Sequence, residues 1–181
     1  GVDYWGAAFG ATVPLLRFWE DGGFRPVRMG TRRGASSGLF SVMCLASISE
    51  AGAEVTARAY GQLVSDGPLR FGHGLQRLEA DVAGCLLNHI FDSAPGPEFH
   101  HETGHDRADL VALVGFSVGA RSFEDVIPPL WRWGGWLLVH TPWPGEADER
   151  LSFTTLLIRK IYQRWTWSAA SPAVGLSGRG D

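Results

Sequence analysis

"GTRRGASSGLFSVMCLASISEAGAEVTARAYGQLV", residues 30–64, is the stretch on which the fold turns. It opens as a Gly/Ser loop and runs directly into an Ala-rich, unbroken segment. That pattern predicts one long helix or two short ones, with Ser36 or Ser37 as the N-cap. Upstream, "TVPLLRFW" and "EDGGFRPVRM" predict an extended pair about a Gly22–Gly23 turn, restricted to edges or strand ends by Pro14 and Pro26. Downstream, "SDGP" at 65–68 predicts a turn. Leu75, Leu78, Val82, Cys85, Leu86, His89 and Ile90 then recur at spacings of three and four, the pattern of an amphipathic helix.

Further on, "LVALVGFSV" predicts a buried strand. "SFED" at 122–125 has the form of a capping box opening a short helix that Pro128–Pro129 must distort. "GWLLVH", "LSFTTLLIR" and "IYQRWTW" predict three more strands, and "SAASPAVGLSGRGD" a flexible tail. Helices in the N-terminal half with strands gathered later argue an α+β fold with a small mixed or antiparallel sheet. The expected organisation is a single globular domain over residues 1–167 and a tail over 168–181.

Composition narrows the function classes. With 181 residues, 45% hydrophobic and 19% charged, the chain suits one packed core rather than disorder. Its formal net charge of −3 gives no overall electrostatic footprint for nucleic acid; only Arg25, Arg28, Arg32 and Arg33 cluster. The longest apolar runs fall short of a bilayer span, and the first residues lack the pattern of a signal peptide, so neither a membrane nor a secretory segment is expected. Cys44 and Cys85 sit among apolar neighbours, which suits free thiols in a reducing, intracellular compartment. All but one of the 16 basic residues are Arg, a mark of GC-rich coding rather than of mechanism.

Two catalytic signatures lie close together. "HETGH" at 101–105 has the zinc-peptidase spacing, in which His101 and His105 on one helix face hold the metal and Glu102 activates its water. Glu124 is available as a third ligand. Gly104, Asp106 and Arg107 oppose the helix this motif needs, so a solvated loop without metal or cofactor is the leading expectation and a zinc hydrolase the alternative. "GFSVG" at 115–119 has the form of a nucleophile elbow around Ser117, but its partners would have to be Asp125 and His140 at cramped spacing. A serine hydrolase is the second alternative.

A longer pattern runs from residue 30 to 167. "GASSGLFSVMCLASI" resembles the loop-to-helix element of ovarian tumour (OTU)-type cysteine proteases, with Leu39 and Phe40 at that family's Leu-Phe positions. "FTTLLIRKIYQRW" resembles its closing strand pair, with Tyr162 at the Tyr position. The resemblance implies a papain-like fold, but Gly38 and Ile161 stand where the nucleophilic Cys and its His would be. It therefore implies a pseudoenzyme: a non-enzymatic binding or assembly protein, viral structural, accessory or effector in origin, located in a host cytoplasm or a virion if viral.

Six of the eight Trp fall in the last third. Trp131, Trp133, Trp165 and Trp167 are expected as anchors for a protein partner or for self-assembly, with Trp165 and Trp167 sharing one face of a strand. Arg32 and Arg33, at the expected helix start, form a second candidate binding site, for an anion.

Overall fold

The computed structural model describes residues 1–92, 105–140 and 147–176. They fall into two compact units, residues 1–86 and 87–181. The sheet belongs to the first unit and the second is helical, so the strands gather at the N-terminal end, the reverse of the order expected. The α+β class and the small antiparallel sheet hold; the papain-like, OTU-like architecture does not.

The first unit is built on β1 (Tyr4–Gly10), β2 (Arg25–Arg33) and β3 (Phe40–Ser47), antiparallel in the order β1-β3-β2. β3 is the first part of the run expected to be helical. Its residues alternate: Phe40, Val42 and Cys44 are buried on one face, while Ser41 and Met43 are exposed on the other. That period of two, with both edges of β3 paired, overrides the helix preference of its Ala and Leu. The helix begins only at α2 (Glu50–Phe71), where Ser49, not Ser36 or Ser37, is the N-cap and its Oγ accepts from the Gly52 N–H at 3.1 Å. The 65–68 stretch lies inside α2, with Pro68 in the helix rather than in a turn.

α1 (Val13–Asp21) replaces the first arm of the expected extended pair. Pro14 stands at its start, where a missing N–H costs no helix hydrogen bond. Gly23, at φ +81°, makes the turn into β2. α2 covers the face of β3 that carries Met43 and Leu45. α1 and the beginning of α3 (Ala80–Asp92) lie toward the Cys44 face, where the Glu20 carboxylate acts on both Cys44 and Cys85. Of the amphipathic helix expected from Leu75 to Ile90, the part from Val82 onward is present in α3, while Leu75 and Leu78 lie in the turns that precede it.

The second unit comprises the end of α3, α4 (His105–Ser117), α5 (Phe123–His140), α6 (Ala147–Leu157), a π-helix (Ile158–Tyr162), α7 (Trp167–Ala170) and a 3-10 turn (Pro172–Val174). The four segments expected as strands, 110–118, 135–140, 151–159 and 161–167, hold no strand: 110–117, 135–140 and 151–157 lie in α-helices, 158–162 in the π-helix, and Trp167 opens α7. An apolar run without alternation cannot be assigned by pattern alone, and here helix–helix packing decides it. The capping box stands: Asp125 N–H reaches Ser122 Oγ at 3.3 Å, and Ser122 N–H reaches Asp125 Oδ2 at 3.2 Å. The helix that follows is 18 residues long and runs through Pro128–Pro129. Gly134 and Gly135 thin one side of it, so that Leu157 and the Phe91 ring approach its backbone.

Candidate functional site

β1 lies at one edge of the sheet, and its outer side has no ladder partner among the described residues. The strand reads "YWGAAFG": Gly6, Ala7 and Ala8 are small, and Tyr4 and Trp5 are exposed at 43% and 63%. A row of main-chain N–H and C=O groups beside small side chains lets another strand, or an amide-bearing ligand, approach closely.

At the far edge, Arg33 works as a clasp. Its guanidinium donates to Gly38 O and Arg77 O, both at 2.6 Å, pairs with Glu79 Oε1 at 2.9 Å, and lies 4.8 Å from the centroid of Phe40. These contacts tie the 34–39 loop to the segment after α2. Arg33 is thereby committed to its own chain, whereas Arg32 is exposed. Neither stands at a helix start, which removes the basis for an anion site there.

The thiols are poor nucleophiles. Burial, reinforced by Glu20, pushes Cys44 up to about 12, and Cys85 is raised by the same two causes in the same order.

In the second unit, cations and aromatic rings meet around the π-helix. Arg159 lies 4.1 Å from the Trp165 ring centroid, and its Nη1 donates to Gln163 Oε1 at 2.8 Å. Lys160 Nζ donates to Trp165 O at 3.1 Å and faces Trp167 at 4.5 Å and Phe123 at 5.1 Å. Trp165 precedes α7 and Trp167 opens it, so they do not share a strand face. Each is half-buried against a cation of its own chain. Trp131 packs with Phe91 and Tyr162 at 5.2 and 5.9 Å, and Trp133 is buried.

The catalytic signatures fare differently. Ser117 ends a helix rather than a strand, and its hydroxyl donates to Val114 O at 2.8 Å, so no nucleophile elbow exists. Asp125 is engaged by Ser122, in the cap of α5. His101 and Glu102 lie outside the described residues, His105 opens α4, and Glu124 is in the first turn of α5. Among the described residues no group of three or more His, Cys, Asp or Glu could hold a metal. Gly38, at φ +67°, closes a turn before β3, and Ile161 lies in the π-helix, so neither occupies the place that the protease resemblance implied.

The element order β1-α1-β2-β3, ending at Ser47, coincides with a match to a known family. Residues 1–49 match GNAT acetyltransferase 2. Three relatives carry the same description, tRNA(Met) cytidine acetyltransferase TmcA. The Nitrosococcus halophilus protein is 35% identical over 182 residues, covering 99% of this chain and 23% of its own length. The Haloferax volcanii protein is 30% identical over 170 residues, covering 94% and 21%. The Citrobacter koseri protein is 45% identical over 164 residues, covering 87% and 21%. The chain therefore spans between a fifth and a quarter of these relatives.

These matches overturn the protease resemblance and what followed from it: the pseudoenzyme, the non-enzymatic assembly protein and the viral structural protein. The similarity is to enzymes. The signal that sequence reasoning missed was "DYWGAAFG", a strand whose small residues conceal its period. As to membranes, no helix among the described residues is long and apolar enough to cross one.

Proposed function

We propose that residues 1–49 form part of an acetyltransferase domain, and that the complete gene product containing this chain transfers an acetyl group from acetyl-CoA to a cytidine of tRNA(Met). One observation carries the reading: the matched residues take in the whole three-stranded sheet, and the small-residue edge of β1 has no ladder partner among the described residues. In the reaction the cytidine's exocyclic amine attacks the thioester carbonyl, a C–N bond forms as the C–S bond breaks, and the proton lost by the amine ends on the departing thiol.

The chain's own residues suit part of this task. The free edge of β1 offers main-chain groups to amides of the donor. None of the three helix starts within the first unit suits the donor's phosphates: Pro14 removes an amide at α1, and Glu50 and Asp81 set carboxylates in the first turns of α2 and α3. Phosphate binding is thus assigned to residues other than these three helix starts. Neither Cys44 nor Cys85 suits an acetyl-cysteine intermediate, since burial raises both thiols.

The test is incubation of the complete gene product with isotopically labelled acetyl-CoA and tRNA(Met), followed by nucleoside mass spectrometry. Label in acetylcytidine is the expected result. Turnover of acetyl-CoA with label only in protein or small amines would overturn the substrate, and no turnover with any acceptor would overturn the activity.

A further inference from the structure

On the face of the sheet covered by α2 lie two adjoining cavities of about 380 and 250 Å³ that share Leu45 as a wall. Together they form a trough between α2 and strands β2 and β3. Arg25, Arg28 and Arg70 line it, and no carboxylate does among the described residues. Arg70 is partly neutralised by Asp66 at 3.3 Å, one helical turn earlier. Arg28 is exposed and has no ionic or hydrogen-bonding partner among the described residues. The guanidinium of Arg25 lies 5.5 Å from the Tyr60 ring centroid, so a flat cationic surface backed by an aromatic ring stands in the trough wall.

A second, independent feature points to a ligand. Thr56 lines the smaller cavity, is only 7% exposed, and its Oγ1 has no hydrogen-bond partner. Buried hydroxyls ordinarily find a partner within the protein, and one left unmatched in a cavity wall is matched by what enters the cavity.

We propose that this trough takes an unpaired segment of RNA, with phosphates at Arg28 and Arg70, a base stacked on the outer face of the Arg25 guanidinium, and a base-edge or sugar hydroxyl group matched by Thr56. The inference rests on the reading that RNA is the acceptor. Positive charge alone would suit any polyanion; the Arg25–Tyr60 platform selects one with exposed flat rings, which a duplex hides and an acidic peptide lacks. It also reconciles RNA with a chain whose net charge is −3, because the contact is local.

The experiment measures binding of a tRNA(Met) transcript to the complete gene product across a salt series, with the KM for acetyl-CoA measured in parallel. For Arg25→Ala/Arg28→Ala the expected result is binding weakened about tenfold or more and a salt slope reduced by about 1 to 2, while Arg58→Ala, on another face of α2, shifts binding by less than about threefold. RNA affinity and salt slope within about twofold of wild type would overturn the proposal. A rise in the KM for acetyl-CoA with RNA binding unchanged would overturn it too, by giving the trough to the nucleotide end of the donor. Loss of RNA binding in the double variant, in a protein that never acetylates cytidine, would sustain the trough and remove the proposed reaction. Should the double variant fail to fold, Arg28→Gln alone carries the test through a slope reduced by about 1.

Discussion

Asp109 of α4 and Arg132 of α5 meet in a two-point ion pair, with Nε donating to Oδ2 at 2.9 Å and Nη2 to Oδ1 at 2.5 Å. The carboxylate side is 10% exposed and the guanidinium side 51%, so one partner is desolvated while the other keeps much of its water. Fork-to-carboxylate geometry fixes the relative rotation of the two helices as well as their spacing. Asp109→Ala is expected to cost about 1–3 kcal/mol, below the figure for a fully buried pair because Arg132 can turn to solvent. Arg132→Lys should recover less than half, since an ammonium cannot span both oxygens. Hydrogen exchange of α4 amides in the two variants checks this; unchanged protection in Asp109→Ala would show that the pair does not fasten α4.

Cys44 offers a test by pH. Burial, then Glu20, raises its thiol from 9.0 to about 12. The unfolded chain therefore releases this proton from about pH 9 upward while the folded chain retains it. The resulting stability is fully present below pH 9 and is lost as pH rises toward 12. Iodoacetamide should leave Cys44 unmodified in the native protein at pH 8, with peptide mass spectrometry as the readout. In Cys44→Ala the fall in urea midpoint above pH 9 should be shallower than in the wild type.

Tyr162 is buried at the junction of the π-helix with α5, and its hydroxyl donates to Trp131 O at 2.8 Å. Tyr162→Phe keeps the ring contacts with Phe91 and Trp131 and removes the side-chain hydrogen bond to that carbonyl, for an expected loss of about 1 kcal/mol. Tyr162→Ala also opens a cavity and should cost about 3–5 kcal/mol. Equal losses in the two variants, measured by chemical denaturation, would assign the whole effect to the hydroxyl and contradict this division.

Gly135 sits where a methyl group would overlap the Phe91 ring. Gly135→Ala should destabilise by about 1–3 kcal/mol despite the better helix propensity of Ala, because overpacking outweighs the gain of up to about 1 kcal/mol from propensity. A higher melting temperature for this variant would mean that the ring moves aside freely.

Local signals were legible where a residue's own neighbours decide its conformation. The three-and-four spacing of α3 and the reciprocal Ser122–Asp125 cap are of that kind. β3 failed because "FSVMCLAS" takes its conformation from strands on both sides, a long-range cause that an Ala- and Leu-containing run does not display. The run 110–118 failed for a related reason: Leu110, Val111 and Val114 are apolar without a period and lie exposed on a helix whose buried positions, among the described residues, are Asp109 and Ala112, so their apolar character does not mark a buried strand. The clasp of Arg33 depends on Glu79, 46 positions away, and the trough on strands and a helix that local pattern had not separated. "HETGH" and "GFSVG" are short enough to arise without the geometry that gives such letters meaning; for Ser117 the helix around it is decisive.

Among the described residues the outer side of β1 is bare, which bears on how a fragment limited to them can be handled. Sheet edges that stay soluble usually carry a lysine, a proline or an inward-pointing charge, and Tyr4–Gly10 has none of these. Any fragment that leaves this strand uncovered presents a ready template for another copy of itself, with Tyr4 and Trp5 adding apolar surface beside it. Its shelf life at high concentration will therefore depend less on the stability of either unit than on whether something occupies that edge, and a single lysine at Ala8 is the smallest change that should slow its aggregation.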